Sequence, residues 1–243
     1  MDAVRAYAHN SSSMWRYLRS GRAEARRHGN ADVLLGEEEV RVNVVDPTYE
    51  LLPEALEALR LPGSAALEDP YAQLDLPGFE RAAWPILHRD RSLPTPAAQH
   101  EVSRVEDPAD LAVAEHTIVF GFPLPHRQPD LLLPGGFLDV PGFDAWLVRR
   151  GGDPAAACLT LDDGNVVCVF WLATIPEHRS QGVGRSVMAA VIAAHPERDV
   201  VLVASSEGRP LYDSMGFTHE GTGAFHTPAR SNGGVRRIPP TPR

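Results

Sequence analysis

Two arginines and two glycines lie close together in the segment TIPEHRSQGVGRSVMAAVIAAH, Thr174 to His195, between an apolar run and a helix-like run. A strand that stops at Pro176 and a helix that starts near Gly184 leave several backbone N–H groups unpaired at the positive end of the helix. Such a turn can bind a diphosphate, because Gly182 and Gly184 permit close approach and the arginines add charge. The motif fits equally well a tight corner that only packs the helix on the strand.

Two common nucleotide-binding motifs do not fit this turn. A dinucleotide-binding motif needs a third glycine where Val187 stands, and a P-loop needs a lysine. All 23 basic residues of the chain are arginine. The pattern therefore indicates a phosphate-bearing ligand of another kind.

The stretch ATIPEHRSQGVG resembles the signature of the GNAT superfamily of acetyl-CoA-dependent N-acetyltransferases, Q/R-x-x-G-x-G/A, with Arg179, Gly182 and Gly184 in its fixed positions. A second stretch, LYDSMGF at 211–217, is similar to the sequence that closes the family's core. Together the motifs cover about residues 101–226. The resemblance implies acetyl-CoA as co-substrate, with its pyrophosphate held by the backbone of residues 179–185.

The resemblance assigns ten residues to the binding of acetyl-CoA. They are Ala173, Thr174, Arg179, Ser180, Gln181, Gly182, Val183, Gly184, Arg185 and Ser186.

Two catalytic roles follow from the same resemblance. Tyr212 matches the family's usual general acid, since a phenol with an ordinary pKa near 10 keeps its proton at neutral pH until a thiolate forms. The alternative is a core tyrosine on a helix face. A backbone N–H near Leu172, on a strand that splays from its neighbour, is expected to face the acetyl oxygen.

The general base is open at this stage, because the strand FWLATI lacks the glutamate that many relatives carry. Any single histidine or glutamate is more often structural or solvated than catalytic, and reach to the amine is the first requirement. The candidates are Glu177, His178, His116, His219 and His226. No metal site is expected.

The composition limits the partners and the setting. A formal net charge of −9 argues against a nucleic-acid partner and favours encounter with cationic amines such as aminoglycosides, polyamines or peptide amines. The N-terminus has no apolar signal core, and the longest apolar run, 166–173, is too short to span a bilayer. We expect a cytoplasmic protein without a membrane partner. Its two cysteines, Cys158 and Cys168, are expected on adjacent strands as buried small hydrophobes.

In the N-terminal part, capping side chains at 10–13 predict a first helix that runs to Gly29, and the alternation in EEEVRVNVVDP predicts a strand ending at Asp46. The acidic run within it, 37–39, is interpreted as a solvated strand edge. Pro53 is expected to open a short helix. Residues 61–99 read as a proline-rich connector.

From residue 101 onward the pattern becomes regular. It predicts a strand at 102–105, a helix opened by Asp107 and Pro108, a three-stranded meander with glycine turns, a helix after Gly184, a buried strand in DVVLVAS and a short helix in GRPLYDSMGF. Residues 123–141 carry five prolines and are interpreted as a cleft wall.

These elements predict an α/β (α+β) fold: a GNAT-like mixed, mainly antiparallel central sheet flanked by helices, with an N-terminal extension. The predicted parts are 1–100, an extension or a degenerate GNAT-like half; 101–228, the acetyltransferase core; and 229–243, a disordered tail. The predicted function is acetyl transfer from acetyl-CoA to a primary amine of a small molecule or peptide. A non-catalytic module that binds or senses acyl-CoA is the alternative.

Overall fold

The computed structural model of the chain describes residues 1–37, 39–61, 64–122 and 132–229. The helices are α1 (Ala3–Leu18), α2 (Pro53–Ala58), α3 (Pro108–Gly121), α4 (Val183–Ala194) and α5 (Arg209–Asp213). The strands are β1 (Ala23–His28), β2 (Ala31–Gly36), β3 (Glu39–Val44), β4 (Ser64–Asp69), β5 (Phe79–Arg89), β6 (Ser103–Arg104), β7 (Phe143–Arg150), β8 (Asp153–Asp162), β9 (Val166–Thr174), β10 (Asp199–Val203) and β11 (Thr218–Pro228).

All of these strands belong to one sheet of eleven strands, in the order β1-β2-β3-β4-β11-β5-β10-β9-β8-β7-β6. Its neighbours are antiparallel except for β3–β4 and β9–β10, which are parallel. Helices α1 and α3 contribute to one apolar cluster, whereas α4 and α5 contribute to a second, separate one. The predicted mixed, mainly antiparallel sheet flanked by helices is therefore confirmed.

The N-terminal and C-terminal parts of the sheet share one topology. In each part a helix precedes a three-stranded antiparallel meander, and a second helix then leads to a strand parallel to the third. The last strands, β5 and β11, pair with each other and cross over, because β5 also pairs with β10 and β11 with β4. Strand β5, which precedes residue 101, thus sits between two strands of the C-terminal part.

The prediction for the first helix was wrong at both ends. Helix α1 begins at Ala3, where the side chain of Asp2 accepts a hydrogen bond from Arg5 N, and it ends at Leu18; the residues before Gly29 form β1. The presumed capping residues at 10–13 lie inside the helix. Three of them are buried, because their polar side chains meet partners in the core rather than the helix end.

The prediction of a connector at 61–99 was also wrong, because β4 and β5 lie there. Pro85 interrupts the alternating pattern of β5 in the sequence, yet it removes no backbone hydrogen bond between β5 and β11. Its carbonyl accepts from Ala204 N on the β10 side, and the N and C=O of one strand residue face the same side. The position where Pro85 lacks an N–H therefore faces the end of β10, where few backbone groups remain to form hydrogen bonds.

The predictions for the C-terminal elements are confirmed, from β6 and α3, with Asp107 as its N-cap, through the meander β7–β9 to α4, β10 and α5. The predicted strand ending near Asp46 and the helix at Pro53 are present as β3 and α2. The turn glycines Gly151, Gly152 and Gly164 all have positive φ. Of the predicted cleft wall, residues 123–131 lie outside the described part, as do Glu38 of the acidic run and residues 230–243.

Cys158 and Cys168 are fully buried thiols on β8 and β9, as expected. They are not neighbours, because Cys158 belongs to the cluster under α4 and Cys168 to the cluster under α1 and α3, on opposite faces of the sheet. Burial raises the pKa of both thiols, which suits inert core residues.

Candidate active site

The sheet opens between β9 and β10. Their parallel pairing runs from Val166↔Asp199 to Val169↔Leu202 and stops there, while β9 continues beside β8 to Thr174. At a bulge in β9, two residues, Trp171 and Leu172, lie opposite the single residue Cys158 of β8. Trp171 has a φ of 50°, an uncommon value for a residue with a side chain. The bulge bends β9 at the point where the two strands part.

A cavity of about 700 Å³ lies in this opening, bounded by the end of β9, the turn before α4 and the residues around α5. We refer to it as the first cavity. Of the ten residues predicted to bind acetyl-CoA, eight line it, and Leu172 lines it as well. They are Ala173, Thr174, Arg179, Ser180, Gly182, Val183, Gly184 and Arg185.

The N-terminus of α4 points into the first cavity. Gly182 is the N-cap residue, and no side chain in the described part of the chain caps the helix there. The first intrahelical bond runs from Ser186 N to Gly182 O (3.0 Å), so the N–H groups of residues 183–185 have no acceptor one turn earlier. These donors and the helix dipole favour an anionic group.

Gly182 and Gly184 are required for different reasons. Gly182 has a φ of 76°, and a Cβ there would lie 2.2 Å from Gln99 Oε1. At Gly184 a Cβ would make ordinary contacts, the closest being 3.4 Å to Thr174 Oγ1, but it would stand at the cavity wall. The first glycine therefore serves the turn, and the second keeps the cavity open.

Both arginines of the turn line the first cavity, but each also braces it. Arg179 donates from Nε to Thr174 O (3.1 Å) and from Nη2 to Gly121 O (3.0 Å). Arg185 donates from Nη1 to Ser214 Oγ (3.0 Å). These bonds hold the guanidinium groups at the cavity wall, where their positive charge favours an anionic group.

The remaining two predicted residues, Gln181 and Ser186, do not line the cavity. The Gln181 carbonyl lies 2.8 Å from His100 Nε2. Ser186 is buried, and its Oγ accepts from Gln99 N (2.9 Å) and His100 N (3.1 Å) while it donates to Gly182 O. Both residues thus fasten the turn to the segment before β6.

A second cavity, of about 330 Å³, adjoins the first. It extends from the opening between β9 and β10 towards α1, β3 and β4 of the N-terminal part. Six residues line both cavities and mark their junction. They are Trp84, Phe122, Leu172, Ser205, Gly208 and Tyr212.

Tyr212 is held at this junction. Its ring packs edge-on against Phe217 with centroids 5.5 Å apart, and a Cβ on Gly208 would lie 3.1 Å from its Cε2. The side chain is largely buried, and this burial raises the pKa of the phenol. The phenol therefore remains protonated at any physiological pH, as a proton donor requires.

The far end of the second cavity contains a buried ion pair that the sequence did not reveal. Arg41 of β3 and Glu68 of β4 are about 7% and 2% exposed, and Arg41 Nη2 lies 2.5 Å from Glu68 Oε2. Tyr7 OH (2.7 Å) and Ser11 Oγ (3.0 Å), both from α1, donate to Glu68 Oε1. Burial lowers the pKa of Arg41 and, together with Glu68, raises that of Tyr7.

Glu68 lay in the segment interpreted as a connector. No local pattern indicated a strand there, because SAALED at 64–69 shows no alternation of apolar and polar residues and a proline stands near each end. No local pattern could have placed Arg41 beside it, because the two residues meet only through the parallel pairing of β3 with β4.

None of the five general-base candidates lines the second cavity. His178 lines the first cavity, and Glu177 is exposed beside it. His116 lies in a shallow groove on α3, and His219 is exposed on β11. His226 is buried, which lowers its pKa, but its neighbours on β11 face the second cavity, so it points to the opposite side of the sheet.

Within the described residues, no group of three or more His, Cys, Asp or Glu side chains is arranged to hold a metal ion. In the same part of the chain, no helix has the length and apolar character needed to cross a bilayer.

The family model described as "Acetyltransferase (GNAT) domain" matches residues 141–219, from the start of β7 to the start of β11. This segment contains the splayed strands, the glycine turn and Tyr212. This segment of the chain is therefore similar to the acetyltransferase domain of the GNAT family. No curated protein shows a significant sequence match.

Solved structures share the fold over most of the chain. A GCN5-related N-acetyltransferase from Kribbella flavida has a TM-score of 0.65 at 19% identity, over 97% of this chain and 98% of that one. A functionally unknown protein from Staphylococcus epidermidis ATCC 12228 has 0.64 at 12% identity, over 85% and 94%. A GCN5-related N-acetyltransferase from Sphaerobacter thermophilus has 0.57 at 12% identity, over 82% and 76%. The first similarity includes the N-terminal part of the sheet.

Proposed function

We propose that the protein is an N-acetyltransferase that transfers the acetyl group of acetyl-CoA directly to a primary amine while both substrates are bound. The observation that carries this proposal is the meeting of two cavities at Tyr212. One cavity presents unpaired N–H groups and arginines to an anion, and the other has room for a small acceptor. Direct transfer requires such a junction, because the amine and the thioester must be held in contact.

The residues of the first cavity fit the polar end of acetyl-CoA. The N–H groups at the start of α4 and the charges of Arg179 and Arg185 suit its diphosphate, and the open wall at Gly184 leaves room for it. From there the cavity continues along Thr174 and Ala173 to the bulge, which gives the pantetheine arm a path to Tyr212.

Each chemical need of the transfer then has a residue. We assign to a backbone N–H at the bulge near Leu172 the stabilisation of negative charge that develops on the thioester oxygen. Tyr212 supplies the proton that the departing thiolate needs, and its burial keeps that proton in place until then. The acceptor amine must be neutral when it attacks the thioester. We propose that water at the mouth of the cavity takes up the proton that the amine loses.

The topology shared by the N-terminal and C-terminal parts supports a second proposal, that residues 1–100 are a degenerate relative of the GNAT core. In this half β3 and β4 stay paired from Glu39↔Ser64 to Asn43↔Glu68, so no opening like that between β9 and β10 forms. Its second helix, α2, has six residues. We infer that this half binds no second acetyl-CoA and serves the acceptor side.

The proposed activity is tested by incubating the protein with acetyl-CoA and single primary amines and measuring released thiol and acetylated product. The buried Cys158 and Cys168 add little background to a thiol reagent. Amine-dependent thiol release is expected. Saturable binding of acetyl-CoA with no release for any amine would identify an acyl-CoA-binding module, and absence of binding would contradict both functions.

A further inference from the structure

The second cavity has an aromatic wall and a polar end. Rings from α1, β5, β9 and β11 surround its middle, and they include Trp15, Trp84, Phe170, Trp171 and Phe225. The rings brace one another, since Trp15 and Trp171 meet edge to face at 5.5 Å and Trp84 and Phe225 at 5.8 Å. Such walls favour a flat apolar body over a hydrated, flexible one.

The polar end is electrically balanced. Arg41 and Glu68 carry opposite charges in direct contact, and they are the only charged side chains among the described residues that line this cavity. An acceptor with several positive charges would therefore find no excess negative charge here, although the whole chain has a net charge of −9. The cavity argues against the polyamines and aminoglycosides that net charge suggested, because overall charge steers encounter rather than fit.

The pair retains hydrogen-bonding capacity on both partners. Among the described residues Arg41 donates from Nε to Asn43 Oδ1 (2.9 Å) and from Nη2 to Glu68, and no bond uses Nη1. The Arg41 Cζ lies over the Trp15 ring, 3.6 Å from its centroid, and this contact helps to hold the guanidinium beside Glu68. Glu68 accepts three hydrogen bonds, one fewer than a carboxylate can take.

A hydroxyl group satisfies both partners, because it accepts from the guanidinium and donates to the carboxylate. A carboxylate at this end would lie beside Glu68, and an ammonium would lie beside Arg41. Both would bring like charges together in a buried place.

We propose that the second cavity selects a compact amine with an aromatic body and a hydroxyl group at its far end, and that the Arg41–Glu68 pair determines this specificity. The proposal rests on the proposed function, since it takes the second cavity as the acceptor site. It also gives residues 1–100 a role, because α1, β3 and β4 supply the pair, its two hydroxyl donors and one wall of the cavity.

Binding can be tested without turnover. Three of the chain's four tryptophans, Trp15, Trp84 and Trp171, line the cavity, whereas Trp146 is buried on the other face and bonded to Thr160. An occupant should therefore change the tryptophan fluorescence. The probes are 2-phenylethylamine, its 4-hydroxy analogue and spermidine, each titrated in the presence of CoA, with excitation where only tryptophan absorbs.

We expect the 4-hydroxy amine to bind about tenfold more tightly than 2-phenylethylamine, as a hydrogen bond to charged partners predicts, and spermidine to bind more weakly than both. Equal binding of the two aromatic amines, tighter binding of spermidine, or binding of none of the three would overturn the proposal. These results come from the unaltered protein and do not depend on a variant that folds.

The role of the pair is tested with Arg41→Met combined with Glu68→Leu, which removes both charges together and avoids an unpaired buried one. The control is Arg26→Met with Glu24→Leu, an exposed ion pair on β1. The first double variant should lose the tenfold preference for the hydroxylated amine and still bind 2-phenylethylamine, and the control should keep the preference. A preference unchanged in the first variant would refute the role of the pair.

The thiol-release assay distinguishes a failure of the proposed specificity from a failure of the proposed acetyltransferase activity. Thiol release with spermidine but with neither aromatic amine would leave the acetyltransferase standing and refute the proposed specificity. Fluorescence binding of the hydroxylated amine without thiol release from any amine would support the specificity and refute the enzyme.

Discussion

At the scale of single residues, the site depends on the burial of a phenol. Tyr212 lies where the two cavities meet, and its environment is made by Phe217, by the absence of a side chain at Gly208 and by the surrounding core. Burial disfavours the phenolate, which raises the pKa of the phenol, and so in the proposed reaction the proton would be available when a thiolate forms. The contacts that pack Tyr212 into the core thus also keep its phenol protonated.

Replacing Tyr212 by Phe should lower kcat by about 10²- to 10⁴-fold, the usual contribution of a positioned acid, and should leave the Kd for acetyl-CoA within about twofold. The measurements are steady-state thiol release and calorimetry. Tyr49→Phe is the matched control, since Tyr49 is 77% exposed.

The same residue makes a prediction about pH. Because its pKa is raised above the ordinary value of 10.0, the phenol loses its proton only at higher pH, and kcat should show no fall from this ionisation below pH 10. A fall of kcat in the unaltered protein between pH 8 and 9 that the Phe variant lacks would contradict the raised pKa, because it would mean that the phenol of Tyr212 ionises in that range.

At the scale of elements, the strand β9, the turn and the helix α4 act as one unit. The bulge at Trp171 separates β9 from β10, the turn is fastened by Arg179 and Ser186, and the helix presents its free N–H groups to the space so created. None of these features would bind an anion well alone. Their order along the chain brings the donors and the opening together.

Gly184→Glu should weaken the binding of CoA by about tenfold or more, because it places a negative charge at the helix end that faces the diphosphate. A Cβ at this site meets only ordinary contacts, so the thermal midpoint should change little. Calorimetric titration with CoA and thermal unfolding are the two measurements.

The control for this change is Gly135→Glu, which adds the same charge at an exposed glycine with no heavy atom within 4 Å of the new Cβ. Undiminished CoA affinity in Gly184→Glu would show that the diphosphate binds elsewhere. By contrast, Gly182→Val is a poorer probe, because its positive φ and the contact with Gln99 would disturb the turn itself.

At the scale of the whole molecule, the exchange of β5 and β11 makes the sheet continuous. Each part gives its last strand to the other, so β5 fills the place between β10 and β11. The second cavity depends on this exchange, since Trp84 and Ala82 of β5 and Phe225 of β11 line it together. The second cavity is therefore built by both parts of the chain.

A chain of residues 101–243 should fail to give cooperative unfolding, because without β5 it leaves β10 and β11 with unpaired apolar edges. Co-expression with residues 1–100 should restore a folded complex that binds CoA. Thermal unfolding and co-purification measure these outcomes. A cooperative, CoA-binding product from residues 101–243 alone would show that the core folds without its N-terminal strand.

The sequence predicted the C-terminal elements well, because their signals are local. Glycine turns bounded the meander, Asp107 and Pro108 opened α3, and the resemblance identified the turn at Arg179–Gly184 and Tyr212 from contiguous residues. The same local rules failed in the N-terminal part. Polar residues at 10–13 suggested a cap, but three of them are buried, and Ser11 and Ser12 donate to carboxylates on distant strands.

The amino-acid sequence by itself thus determined the class of fold, the glycine turn before α4 and the tyrosine near it, since each is encoded within a few consecutive residues. Only the tertiary structure decided that β5 and β11 change places and that Arg41 meets Glu68 at the end of a second cavity. Strand exchange and a buried ion pair arise from pairing between residues far apart in the chain, and the free energy that selects such pairings comes from the whole packed sheet rather than from any one segment.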